Sequence, residues 1–159
     1  MSASFDQTSH YLGGCQCGNI RYAISADPIV AYCCHCTDCQ AQSSIAFGIS
    51  VWFPTSQFKI MQGKPAQYTF TLDSGDEKLC AFCPDCGSSI YNTGTDESDI
   101  LSIKGGSLEM IHRINPVGHI WTDSALEWIK QRNLQGFIYT HQPVSFDDMI
   151  AKFVPPVLD

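Results

Sequence analysis

Nine cysteines in 159 residues carry most of the chemistry this sequence can do, and their spacing sorts them. Cys83 and Cys86 sit in CPDCG, Cys15 and Cys17 in GGCQCG, and Cys34, Cys36 and Cys39 in CCHCTDCQ, residues 33–40. Cys33 and Cys80 match none of these spacings. The odd count argues against a framework made only of disulfides. In a reducing compartment, closely spaced thiols read as metal ligands or catalytic groups first.

CPDCG is the most specific local signal. Two thiolates separated by two residues can grip one tetrahedral ion from a tight turn. Pro84 sets a turn dihedral, and Gly87 permits the positive φ such a knuckle needs after its second sulfur. Backbone N–H groups in the knuckle can then point at the thiolates. A thioredoxin-like redox pair would instead open a helix in a βαβ unit; here the flanking runs are β-like, and Ser88 and Ser89 follow. A structural zinc site normally takes four protein ligands. GGCQCG is the natural completion, since Gly14 and Gly18 let the backbone turn both sulfurs toward one ion. A set of Cys15, Cys17, Cys83 and Cys86 would tie the N-terminal strand to the middle of the chain.

The remaining C-x-C-x-x-C then has three matched ligands, Cys34, Cys36 and Cys39, and no obvious fourth. Three protein ligands plus one exchangeable position is the pattern of a catalytic zinc. Three thiolates on Zn²⁺ leave a formal charge of about −1, which makes a poorer Lewis acid toward water but suits a soft fourth ligand such as a thiol. A thiol held there stays in its nucleophilic thiolate form at neutral pH. Sulfur chemistry is expected more than hydrolysis. Zinc deaminases, which pair H-x-E with P-C-x-x-C, are excluded. None of the five histidines is followed two residues on by glutamate, and the proline lies inside the knuckle.

Short β-like runs must position these groups. NIRYAIS alternates Ile20, Tyr22 and Ile24 with polar neighbours, the period of a half-buried strand. IAFGISVWF reads as a buried strand interrupted by Gly48. QFKIM, AQYTFTL, KLCAF, SSIYN and DILSI follow, with QGKP, DSGD and NTGTDESD as turns. The pattern predicts a mainly β, antiparallel sandwich or barrel-like sheet with few short helices. TDSALEWIKQ reads as one short helix presenting Ala125, Leu126, Trp128 and Ile129, and SFDDMIAKF as another, with Ser145 and Asp148 spaced like a capping box. No repeat or low-complexity linker interrupts residues 1–159, so we expect a single domain.

The bulk properties fit a globular chain: 44% hydrophobic, 16% charged, net charge −7 from nine Lys/Arg against sixteen Asp/Glu. An acidic surface without a basic stripe disfavours nucleic acid as a partner. The start MSASFDQTSHYLGG lacks the features of a signal peptide, and no apolar run is long enough to span a bilayer, so we expect a cytoplasmic protein without membrane association.

GGCQCGNIRY, YCCHCTDCQ, FCPDCGSSIY and the later HIWTDSALEW together resemble the glutathione-dependent formaldehyde-activating enzyme family, which includes centromere protein V-like proteins. The resemblance runs from about Gly13 to Trp128. It implies an Mss4-like antiparallel β fold with two zinc ions per chain. Cys15, Cys17, Cys83 and Cys86 would hold the structural zinc, and Cys34, Cys36 and Cys39 the catalytic one. It further implies a carbon–sulfur lyase or synthase that joins formaldehyde to glutathione as S-(hydroxymethyl)glutathione, or that acts on a related thiol adduct. Membership of a fold does not fix the substrate.

Other residues carry two readings each. Cys33 is a buried small residue or an alternative ligand, and Cys80, in an apolar run, is core. His35 lies between two ligands, so its side chain should point away from the metal, or at most support the ligands from behind. His119, in the HIW of the family pattern, is a distal group near the open site or a hydrogen-bonded structural histidine. Phe47, Trp52 and Phe53 wall a pocket or fill the core. Arg21, Lys104 and Arg113 could each meet a carboxylate of a glutathione-like thiol. A non-catalytic thiol carrier or protein-interaction module on the same fold is the alternative function. A methionine sulfoxide reductase would use one isolated nucleophilic cysteine, unlike the clustered C-x-C-x-x-C.

Overall fold

The computed structural model describes residues 11–72, 74–95 and 98–157. The stretch MSASFDQTSH, part of the segment read as lacking a signal peptide, lies outside the described residues, as do Asp96 and Glu97 of the NTGTDESD turn. The architecture is mainly β, as expected of an Mss4-like fold. β1 (Tyr11–Gly14), β2 (Arg21–Ile24) and β5 (Phe58–Gln62) form a three-stranded antiparallel sheet in the order β1-β2-β5. A second sheet collects β3 (Val30–Cys34), β4 (Gly48–Pro54), β6 (Ala66–Thr71), β7 (Glu77–Phe82), β8 (Ser89–Gly94), β9 (Ile100–Lys104), β10 (Gly118–Ile120) and β11 (Phe137–Ile138). Its strand order is β11-β10-β3-β4-β9-β8-β7-β6.

The second sheet is antiparallel except at one edge. β10 runs parallel to β3, and β11 parallel to β10. Parallel neighbours need a long crossover between them, and the chain from β4 to β9 supplies one before it returns to β3. No local periodicity encodes that return.

Aromatic rings join the two sheets. Tyr11 of β1 meets Phe53 of β4 edge-on at 5.3 Å, while Phe58 of β5 contacts both Tyr22 of β2 and Tyr91 of β8 at 5.2 Å. Tyr11, Tyr22 and Phe53 are among the most buried large side chains. Each such ring removes on the order of 150–250 Å² from water, so this seam is a substantial apolar contribution to holding the sheets together. Ile20, Tyr22 and Ile24 point inward as their alternation predicted, but Ala23 is buried as well. β2, in the middle of its sheet, is thus enclosed on both faces.

Three local expectations change. IAFGISVWF is not one strand: β4 begins at Gly48, because α1 (Thr37–Ser43) ends just before it with Ser44 in a left-handed cap. α1 itself has no strong periodic signal, since its seven residues are mostly polar and lie within the cysteine motif. TDSALEWIKQ forms a 3₁₀ turn, Thr122–Ser124, then α2 (Glu127–Lys130) of a single turn. Ala125 and Ile129 are buried, whereas Leu126 and Trp128 face outward. α3 (Asp147–Lys152) forms as expected and buries Met149. Ser145 Oγ accepts from the Asp147 N–H, one residue short of a capping box. No helix among the described residues is long and apolar enough to cross a membrane.

Gly13 of β1 is closely packed against the Tyr22 ring and the 3₁₀ turn Gly105–Ser107. A Cβ there would come within 2.3 Å of the Tyr22 ring and 2.4 Å of the Ser107 carbonyl, two groups fixed by their own 2.8 Å hydroxyl contact. A Cβ at Gly106 would meet nothing. Gly13→Ala should therefore lower the unfolding free energy by about 1–3 kcal/mol, as overpacking does. Gly106→Ala should stay within about 0.5 kcal/mol of wild type in the same denaturant titration. Equal effects would contradict this packing.

Candidate metal centre

The sulfurs of Cys15, Cys17, Cys83 and Cys86 lie within 4.8 Å of one another, and so do those of Cys34, Cys36 and Cys39. The sequence sorting of seven cysteines into a set of four and a set of three is reproduced in space.

The set of four is built by two loops that clasp. The turn between β1 and β2 carries Cys15 and Cys17, with Gly18 at φ +82°. The turn between β7 and β8 carries Cys83 and Cys86, with Gly87 at φ +74°. Gly18 N–H donates to the Cys15 carbonyl three residues back, and Gly87 N–H to the Cys83 carbonyl four residues back, so each turn is closed by its glycine. Asn19 Nδ2 donates to Asp85 Oδ2 at 2.9 Å, and Gln16 N–H to Ser88 Oγ at 3.1 Å, joining the loops. Backbone N–H groups face the sulfurs. Ile20 N–H donates to Cys15 Sγ at 3.2 Å, and Ser88 holds Cys86 down to about 6 through its hydroxyl and its N–H. Cys17 goes the other way. The Asn19 backbone favours its thiolate, but contact with Cys15, burial and the other two thiols push it up to about 12. Four adjacent thiols cannot all ionise unless a cation offsets their charge.

The set of three is arranged differently. Cys34 ends β3, Cys36 caps α1 and accepts from the Cys39 N–H, and Cys39 lies in the first turn of α1. Cys36 is driven strongly down by hydrogen bonds from Cys34 and Cys39, and Cys34 strongly up by the same contacts. Three thiols in mutual contact cannot all ionise unless a cation offsets their charge. Sulfur–sulfur distances of 3.4 and 3.7 Å in the first set, and 3.4 Å in the second, approach the roughly 3.8 Å of a tetrahedron with ~2.3 Å metal–sulfur bonds. Both sets therefore fit a soft divalent ion. Among the described residues, the second has no fourth His, Cys, Asp or Glu within reach.

A cleft of about 710 Å³ reaches both sets, with Cys15 and Cys39 in its lining. Gly48 keeps it open beside Cys39: a Cβ there would lie 3.4 Å from Cys39 Cβ and 3.7 Å from its sulfur. Phe47 lines the cleft and packs on His35 at 5.1 Å, whereas Phe53 is core and Trp52 packs on Tyr32 and Phe146. Lys104 and Arg21 line the cleft. Arg113 does not; its guanidinium donates to the Val157 carbonyl.

Lys104 is held by groups that sequence reasoning did not single out. Its Nζ is 2.9 Å from the Asn92 amide. An ammonium can only donate, so the amide atom facing it is the oxygen, and Asn92 nitrogen then donates to the Tyr91 carbonyl at 3.0 Å. With the Asn92 oxygen turned this way, Gln42 of α1, 3.2 Å away, presents its amide nitrogen to it, and the other atom of the Gln42 amide then lies 3.3 Å from Cys80 Sγ as an acceptor for the thiol. Cys80 is thus half-buried and hydrogen-bonded, a correction to its reading as plain core. Asn92 is a buried polar residue in β8, which gives no signal until β7, β9 and α1 are assembled around it.

His35 and His119 form a pair outside the cleft lining. β10 registers His119 against Cys33, and Cys33 and His35 share a strand face opposite to Cys34. His35 Nε2 and His119 Nδ1 lie 2.9 Å apart. Burial, and then the neighbouring His119, pull His35 down to about 4, so the ring stays neutral. The sequence expectation for His35 holds, and of the two readings of His119 the hydrogen-bonded structural one applies. Cys33 is buried, with its thiol pushed up to about 11 by burial, and stands outside both sets.

The two sets should differ in how they hold metal. Graded chelation, followed by metal analysis, should remove the ion at Cys34, Cys36 and Cys39 first, with the fold retained. Loss from the four-thiol set should coincide with unfolding, because that set joins two sheets. The reverse order would contradict this division.

A family model described as glutathione-dependent formaldehyde-activating enzyme matches residues 10–124. A crystal structure of a Rhodobacter sphaeroides protein, a structural genomics target, is similar over 62% of this chain and 87% of its own, at 20% identity and a TM-score of 0.48. The cysteine pattern, the mainly β fold and the match over most of the sequence lead to one assignment: the chain belongs to the glutathione-dependent formaldehyde-activating enzyme family.

Proposed function

We propose that the protein is a zinc-dependent carbon–sulfur lyase or synthase acting on glutathione or a similar thiol, with formaldehyde or a related thiol adduct as the other reactant. Its whole length would act as one zinc-binding domain, in the cytoplasm, where thiols stay reduced. Cys15, Cys17, Cys83 and Cys86 would hold a structural zinc, and Cys34, Cys36 and Cys39 a catalytic one. The observation that carries this reading is the three-sulfur set that borders a cleft through Cys39 and lacks a fourth protein ligand among the described residues. When bound, the zinc would supply a site where a thiol ionises to thiolate at neutral pH.

The chain's own residues supply the rest. Three thiolates and an incoming fourth are an excess of negative charge in a half-enclosed site. Lys104, fixed by Asn92, sits in the cleft and favours the charged form of Cys39, as Lys78 does for Cys36. These cations offset the charge that a thiolate brings. Phe47 and Gly48 shape an apolar wall and an opening beside Cys39, which limits water around the reacting sulfur. In the forward direction the thiolate attacks the aldehyde carbon, one carbon–sulfur bond forms, and the proton the thiol lost ends on the former carbonyl oxygen. Cleavage is the reverse.

NMR exchange measurements on ¹³C-formaldehyde with glutathione test this reading. Exchange should exceed the spontaneous rate for wild type and fall back to it for Cys36→Ser, whose thermal transition should stay near wild type. Tight glutathione binding with no acceleration would favour the thiol-carrier alternative. Lys104→Gln should lower kcat/KM on the order of tenfold or more, with the loss shrinking at high ionic strength as the wild-type rate itself falls. An unchanged kcat/KM would remove Lys104 from the account.

A further inference from the structure

The cleft that borders the three-thiol set also carries an ion pair whose placement suits a ligand better than it suits the fold. Arg21 of β2 and Glu109 both line it, and the Arg21 Nη2 group bonds Glu109 Oε1. The side chains are 35% and 50% exposed. A pair this open contributes about 0–1 kcal/mol to stability, yet both partners are placed by backbone. Glu109 N–H donates to the Leu12 carbonyl at 3.0 Å, and Arg21 is registered against Gly14 across the β1–β2 ladder. A Cβ at Gly14 would stand 2.2 Å from the Ile20 carbonyl, so the backbone beside Arg21 is closely packed, and the Arg21 side chain runs over the same glycine.

We infer that Arg21 and Glu109 together read a free α-amino-acid head on the thiol, such as the γ-glutamyl end of glutathione. This rests on the thiol reading of the cleft given above. Charge decides which ligand the pair favours. The pair is neutral overall, so it offers no net attraction to a simple carboxylate, which meets Glu109 as well as Arg21. A zwitterion satisfies both members at once: its carboxylate takes the remaining guanidinium N–H groups, and its ammonium takes the outer Glu109 oxygen. Lys104, the other cation lining the cleft beside Cys39, is already engaged by Asn92. A cleft of about 710 Å³ falls in the range of roughly 300–1,000 Å³ for small-ligand sites, and its lining holds Cys39 and both members of the ion pair, as one tripeptide-sized thiol would require. Thiols without such a head would be discriminated against.

Calorimetric titration of the metal-loaded protein with thiol-free tripeptides tests this without relying on turnover. The parent probe is γ-glutamyl-2-aminobutyryl-glycine. The glutaryl analogue lacks only the head ammonium, and the 4-aminobutyryl analogue lacks only the head carboxylate. Wild type should bind the parent at least tenfold more tightly than either analogue. In Arg21→Gln the advantage over the 4-aminobutyryl form should collapse toward unity. In Glu109→Gln the advantage over the glutaryl form should collapse instead. This crossed pattern separates recognition from a structural role, which would weaken all three probes alike. Failure of the parent to bind, equal affinities in wild type, or uncrossed losses would overturn the inference. A crossed pattern without thiol turnover would leave the inference standing and reject the catalytic reading. Turnover without head-group discrimination would do the opposite.

Discussion

The structure depends on one contact, the convergence of the β1–β2 and β7–β8 turns on four sulfurs. These turns belong to different sheets, 66 residues apart at their Cys17–Cys83 contact. The Asn19–Asp85 and Gln16–Ser88 hydrogen bonds hold the loops together, but both are exposed and modest. Without an ion, the four thiols push one another's ionisation apart. With one, four thiolates share a counter-charge, and the repulsion that strains the apo cluster becomes its binding energy. The aromatic seam of Tyr11, Phe53, Tyr22, Phe58 and Tyr91 then packs between sheets whose relative position is set at one end.

The same logic separates the two sets. Four sulfurs would complete a tetrahedron around one ion and leave no position open. The second set spends its three on β3 and the start of α1, and opens at Cys39 to a cleft. Nearby polar groups fit a site that handles anions: Lys104 is fixed by a buried asparagine, and Gln42 of α1 bridges that asparagine to Cys80. On the far face of β3, the His35–His119 pair bonds β10 to the strand that carries Cys34. Its role is to seat that strand. Gln40 and Ser124 add to this by donating to the His35 carbonyl, which ties α1 and the 3₁₀ turn after β10 to the same backbone.

Much of this was legible in the sequence because cysteine spacing is a local code. The partition of Cys15, Cys17, Cys83, Cys86 from Cys34, Cys36, Cys39 needed only turn geometry and ligand counting. The strands from β5 to β9 were visible from alternation and turn residues. What the sequence hid is non-local. The parallel return of β10 to β3 depends on a crossover of more than eighty residues between Cys34 and Ile120. The role of Asn92 depends on three elements meeting, and the exposure of Leu126 and Trp128 on α2 being too short to present a full apolar face. His119 was drawn toward the metal by its place in a motif, but strand register puts it on the other side.

The central claim is that the three-thiol set leaves a position for the sulfur of a substrate thiol. X-ray absorption at the zinc edge tests it on protein loaded with two equivalents of zinc. One closed and one open site predict an average of about 3.5 sulfurs per zinc, rising to about 4 when glutathione is added. An average of 4 before addition, or no change on saturation with glutathione, would contradict it.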